Sequence, residues 1–102
     1  MVLANEPRSY REVLFATLQL VRPEIELRVV DPADLDEAVT RHAPQLVVCS
    51  YLTPLVEVNA PAWIVLHPGG GPETIAKVKG QRTVSIDLDL EGLLAMIDRT
   101  LG

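Results

Sequence analysis

The chain has a single cysteine, so Cys49 cannot close an internal disulfide. No apolar run approaches the ~18 to 20 residues that cross a bilayer, which argues against a membrane span. The residues Met1 to Glu6 carry neither a basic stretch nor a long apolar one, so no secretory signal is read there and a cytoplasmic location is expected. Basic residues are few and scattered, 9 Lys and Arg against 14 Asp and Glu, and a net charge of −5 repels a phosphate backbone. Nucleic acid is therefore not an expected partner. No internal repeat, low-complexity tract or linker is visible, and with no helix-turn-helix read in these residues any signalling output is expected to act through a separate chain.

What is present fits one globular domain over residues 1–102. Hydrophobic residues make up 48% and charged residues 23%, the balance of a chain that buries one core. Eight prolines and the run Gly69-Gly70-Gly71 cut the chain into short elements.

Val2-Leu3-Ala4 reads as a first strand, stopped by Asn5-Glu6-Pro7. Ser9 stands three residues before Glu12 in capping-box spacing, and Val13, Leu14, Leu18 and Val21 recur at helical intervals until Pro23. Glu26 to Val30 predicts a second strand, and Asp31-Pro32 caps a second helix carrying Leu35, Ala38, Val39 and His42 on one stripe. Leu46 to Cys49 and Trp63 to Leu66 are unbroken apolar runs, as in strands covered on both faces of a mainly parallel sheet. Between them, Pro54 and Pro61 leave little room for a crossover helix. Thr74 to Val78 and Arg82 to Asp87 flank Lys79-Gly80-Gln81 and predict an antiparallel hairpin, in the same sheet or paired to another subunit. Asp89 caps a last helix whose apolar face is Leu90, Leu93, Leu94, Ile97 and Leu101. The pattern is α/β, with chemistry expected at the carboxyl ends of the strands.

Two stretches carry a family likeness. Val2 to Leu14, an apolar strand ending in Asn5-Glu6 and followed by Arg11-Glu12, resembles the opening of response-regulator receiver domains of the NarL/LuxR type. Ala43 to Pro54 is similar to that family's Pro-Asp, apolar strand, phospho-acceptor Asp and Met-Pro, with Ser50 on the acceptor position. Pro61 to Pro68 adds a weaker match to the fourth strand, with His67 where the family has Thr or Ser. The resemblance implies a three-layer, flavodoxin-like, mainly parallel sheet of order 2-1-3-4 with the hairpin appended. About three helices are expected, the third and fourth of the family being missing.

The same comparison implies that phosphorylation is lost. A receiver uses a carboxylate to attack a phosphoryl group whose charge is offset by a divalent cation and a lysine. Ser50 cannot form an acyl phosphate, only Glu6 remains of the acidic pair, and Ile86-Asp87 stands where the lysine would be. Asn5, Glu6, Ser50 and His67 thus read as a degenerate phosphoacceptor pocket, with no metal and no cofactor implied.

Other readings of these residues are weaker. A Ser50-His67-Glu6 hydrolase lacks the glycines of a nucleophile elbow around Ser50. Gly69, Gly70 and Gly71 could offer N–H groups to an anion, but neither a P-loop Lys-Ser/Thr nor a dinucleotide spacing accompanies them. Cys49 reads as a small core residue, His42 as a partner of a helix carboxyl end, and Trp63 as a core or interface anchor.

With so few helices, one sheet face is expected to stay bare. Val47, Cys49, Trp63, Ile64 and Leu66 become interface candidates, to be covered by a second copy in a homodimer or by another protein. The expected function is a non-enzymatic interaction module of signal transduction. The alternative is a small-molecule or anion-binding domain, or a degenerate enzyme, built on Glu6, Ser50, His67 and the glycine loop.

Overall fold

A computed structural model describes residues 1–102. Its single six-stranded sheet has the order β2-β1-β3-β4-β5-β6, made of β1 (Val2–Ala4), β2 (Arg28–Val29), β3 (Val47–Cys49), β4 (Trp63–Leu66), β5 (Glu73–Val78) and β6 (Gln81–Ile86). The first four strands are parallel, in the flavodoxin-like order 2-1-3-4, and β5 and β6 continue the sheet as an antiparallel hairpin. The helices are α1 (Arg8–Val21), α2 (Leu35–His42), α3 (Pro54–Asn59) and α4 (Leu90–Leu101).

Strand pairing decides which side chains share a face. In register, Val47 lies beside Trp63 and Cys49 beside Val65, while Val48 lies beside Ile64. Leu3, Val48, Ile64 and Ala76 therefore face α1 and α4, where Leu14, Leu18, Leu93 and Ile97 meet them. Val2, Ala4, Val47, Cys49, Trp63 and Val65 face the other way, onto Leu35 and Val39 of α2 and Val56 of α3. Both faces of the parallel core are dry, which is why β3 and β4 read as unbroken apolar runs.

The helix between β3 and β4, expected to be missing, is present in shortened form. Thr53 caps it: its hydroxyl accepts the Val56 N–H at 3.1 Å and donates to the Asp36 carboxylate at 2.6 Å, fixing α3 to α2. Pro54 occupies the first helical turn, where its missing N–H costs nothing. Six residues suffice to bury Val56 completely, a contribution of ~2 kcal/mol. The prolines bound this helix instead of preventing it.

That helix overturns the bare-face expectation. Val47, Cys49, Trp63, Ile64 and Leu66 are all buried within the chain, none more than 2% exposed. They do not even share a face, since Ile64 and Leu66 belong to the α1/α4 side. None of the five offers a surface to a partner.

Local details differ at three further places. The start of α1 is set by Pro7, whose carbonyl accepts the Arg11 N–H, and Ser9 sits inside the first turn. Glu12 pairs with Arg8 at 3.0 Å instead of reaching back to Ser9. The second strand shrinks to two exposed residues. Asp31 does cap, accepting the Ala33 N–H, but the turn it starts is a 3₁₀ turn, Pro32–Asp34, before α2 begins.

Candidate functional site

The carboxyl ends of β1, β3 and β4 bring Asn5, Glu6, Ser50 and His67 to one end of the sheet. The hydroxyl of Ser50 accepts the Glu6 main-chain N–H at 2.7 Å, with the Glu6 carbonyl 3.4 Å away as acceptor for its proton. The serine oxygen is thus engaged with backbone and meets no base. The Glu6 residue is exposed, and its carboxylate makes no hydrogen bond or ion pair within the chain.

His67 adopts a left-handed conformation, φ 48° and ψ 55°, where the chain leaves β4. Its Nδ1–H donates to the Gly71 carbonyl at 3.0 Å, which holds the ring over its own loop. No hydrogen bond joins His67, Ser50 and the Glu6 carboxylate, so the Ser-His-Glu arrangement is not formed.

The glycine loop is likewise committed inward. The Gly70 N–H donates to the His67 carbonyl at 2.9 Å and the Gly71 N–H to the Pro68 carbonyl at 3.4 Å. Gly69 and Gly70 take φ of 67° and 78°, which L side chains resist, so these glycines serve a tight 3₁₀ turn. Two of the three N–H groups proposed for an anion are spent on that turn.

The structure sets beside the expected Asn5 a second buried polar residue, Arg11, that sequence reading passed over as a site group. Asn5 is completely buried, and both its amide oxygen and its amide nitrogen lack partners within the chain. Arg11 of α1 is 7% exposed and donates through Nη1 to the Asn5 carbonyl at 3.3 Å, while its Nε is also without a partner. A buried arginine three residues before Leu14 and seven before Leu18 is on the inward face of α1, a position the apolar pattern alone hides.

Cys49, one residue before Ser50, is buried at the end of β3. Desolvation pushes its thiol up to about 12, which disfavours the reactive thiolate. His42 is exposed at the end of α2. No three His, Cys, Asp or Glu side chains are gathered closely enough to hold a metal ion, and no helix is long and apolar enough to cross a membrane.

A cleft of about 810 Å³ lies at the opposite end of the sheet, between the turn after α1, the end of α2 and the end of α4. Arg22, Arg28, Glu24, Glu26 and Asp98 line it, so charges of both signs meet there. The chain matches no protein-family model, no curated protein and no solved structure above the level of chance.

Proposed function

We propose that this chain is a non-enzymatic, receiver-like interaction module of signal transduction that is not phosphorylated and acts as a homodimer. The observation that carries the reading is Ser50 at the end of β3, in a sheet of order 2-1-3-4, with its hydroxyl tied to the Glu6 main chain. A receiver would need a carboxylate at that point to form an acyl phosphate, and a second acidic group beside Glu6 to hold a divalent cation. Serine and Asn5 provide neither. Without catalysis at the strand ends, the remaining way to transmit a state is through contact with another polypeptide.

Incubation with acetyl phosphate and magnesium, followed by intact-mass measurement, tests the first half of this reading. No phosphoryl adduct is expected; a stable adduct would sink it. Sedimentation across a concentration series tests the second half, with a dimer expected.

A second reading, binding of a small polar molecule or anion, draws on Asn5 and Arg11. Three of their buried polar atoms have no partner within the chain, and such atoms are costly unless something satisfies them. Thermal melts with inorganic phosphate, sulfate and a panel of carboxylates would reveal it as a rise in Tm that Asn5→Leu abolishes.

A further inference from the structure

The two edges of the sheet are unlike. At one, β2 has two residues, too few to template another strand. At the other, β6 has six, pairs residue by residue with β5 without a bulge, contains no proline, and carries one charge, Arg82. Val84 and Ile86 on it are each 61% exposed. Edge strands are ordinarily blunted by shortness, bulges, prolines or several charges, and β6 has almost none of these defences.

The hydrogen-bond parity of this edge can be read directly. The hairpin closes through Lys79-Gly80, so the flanking pair Val78 and Gln81 is hydrogen-bonded and the bonds alternate from there. The Asp87 N–H donating to the Pro72 carbonyl at 3.0 Å falls on the same alternation. Gln81, Thr83 and Ser85 therefore spend their backbone groups on β5. Arg82, Val84 and Ile86 turn theirs outward, to no partner in the chain.

We infer that β6 pairs antiparallel with β6 of a second copy about a two-fold axis through Val84, joining two sheets into one. The inference rests on the homodimeric reading above and assigns it a surface. Only this register sets all three outward residues of one strand against all three of the other: Val84 faces Val84, and Arg82 faces Ile86 of the second copy. It also keeps each face of the sheet continuous, because the paired residues have equal parity.

Side chains agree with that register. On the face that carries Trp63, the central row becomes Val65, Ile75, Val84 and then the same three residues in reverse order, apolar throughout. The row beside it begins Trp63, Lys77, Arg82 in one copy and continues into Ile86 and Glu73 of the second. Two basic residues thus run toward an acidic one across the junction, and the two-fold repeats the arrangement on the other side. On the opposite face, Thr83 meets Ser85 of the second copy, a hydroxyl pair suited to exposure. A single strand edge is a smaller contact than the ~800 Å² per partner of a standard interface, so a weak, concentration-dependent dimer is expected.

The experiment is sedimentation of wild type and Val84→Lys, together with oxidative cross-linking of Val84→Cys. Position 84 contributes no backbone bond to β5, so both variants should keep the wild-type circular dichroism and melt. Wild type should dimerise and Val84→Lys should weaken dimerisation at least about tenfold, the equivalent of losing the central pair. Val84→Cys should form a disulfide-linked dimer under mild oxidation, since facing Cα atoms in a hydrogen-bonded pair lie ~5.5 Å apart. A cysteine at exposed Leu20 of α1, the control, should not. Wild type that stays monomeric to about 1 mM would overturn both this inference and the homodimeric reading. A dimer that survives Val84→Lys, with Val84→Cys failing to cross-link, would overturn the edge alone and leave the homodimer standing.

Discussion

The main-chain N–H of Glu6 donates to the hydroxyl of Ser50 across 2.7 Å, closing the gap between the ends of β1 and β3. The serine is a structural tie at the point where chemistry was sought. Its oxygen accepts one backbone bond and has a second backbone group as the outlet for its proton.

Removing that tie should cost stability and nothing else. Ser50→Ala is expected to lower unfolding free energy by about 0.5 to 1.5 kcal/mol, the net value of one such bond, while Ser50→Thr should retain most of it. Urea denaturation at fixed m-value checks both. An alanine variant as stable as wild type would show that the bond contributes nothing.

Thr53 supports the short helix on which burial of the α2/α3 face depends. Its hydroxyl joins the Val56 N–H to the Asp36 carboxylate, so one substitution removes a cap and a bond between helices. Thr53→Val should destabilise by about 1 to 2 kcal/mol, with Tm as the readout.

The strand order was implied by the family resemblance, whereas the hairpin and the last helix were legible from local signals. Asp89 stands before a helix and accepts the Gly92 N–H as its spacing demands, and Lys79-Gly80 forms the two-residue turn between β5 and β6. What escaped depends on contacts between distant segments. Val13 and Val21 fit the helical period of α1, yet both are exposed and Arg11 takes an inward place because the Asn5 carbonyl lies opposite. The face assignment of β3 and β4 failed for a related reason. In an unbroken apolar run nothing marks which residues point which way, and only the register that sets Val47 beside Trp63 separates Cys49 from Ile64 and Leu66. In α3, two prolines were read as breakers although one sits where a helix tolerates it. At the candidate site, Ser50 and His67 were correctly expected at strand ends, but their partners are backbone groups that no side-chain motif reveals.

Ala43 ends α2 in the left-handed conformation, φ 44° and ψ 56°, with its N–H donating to the Val39 carbonyl. A Cβ is unfavourable there, and glycine is the residue that such helix ends ordinarily carry. Ala43→Gly should therefore stabilise by about 0.5 to 1 kcal/mol, in spite of the greater freedom glycine gives the unfolded chain. Thermal or urea unfolding would read it, and a loss of stability would contradict the assignment.

Burial and the raised pKa of Cys49 predict a silent thiol. In folded protein at pH 8 it should react with iodoacetamide far more slowly than a free cysteine, and at the free rate once urea unfolds the chain. Rapid labelling without denaturant would mean that the end of β3 opens readily.

Arg22 and Asp98 form the widest tie in the chain, from the turn after α1 to the last turns of α4. The guanidinium donates through Nε to Oδ1 at 2.8 Å and through Nη2 to Oδ2 at 2.7 Å, a bidentate pair at the rim of the large cleft. Hydrogen bonding to Arg22 holds the Asp98 carboxyl below the usual aspartate range, and the same contact raises Arg22. For a carboxylate depressed by folding, the stabilisation is complete above the unfolded pKa and disappears as pH falls through the folded one. Arg22, already charged throughout, adds no pH dependence in that window. Asp98→Asn should consequently be less stable than wild type near neutral pH, with the difference shrinking below about pH 4 as the wild-type carboxyl protonates. Because both side chains are partly exposed, the neutral-pH difference should also shrink in 1 M salt. Melts of the two proteins between pH 2 and 7 at low and high salt would test both trends, and parallel curves at every pH would show that the pair does not couple folding to protonation.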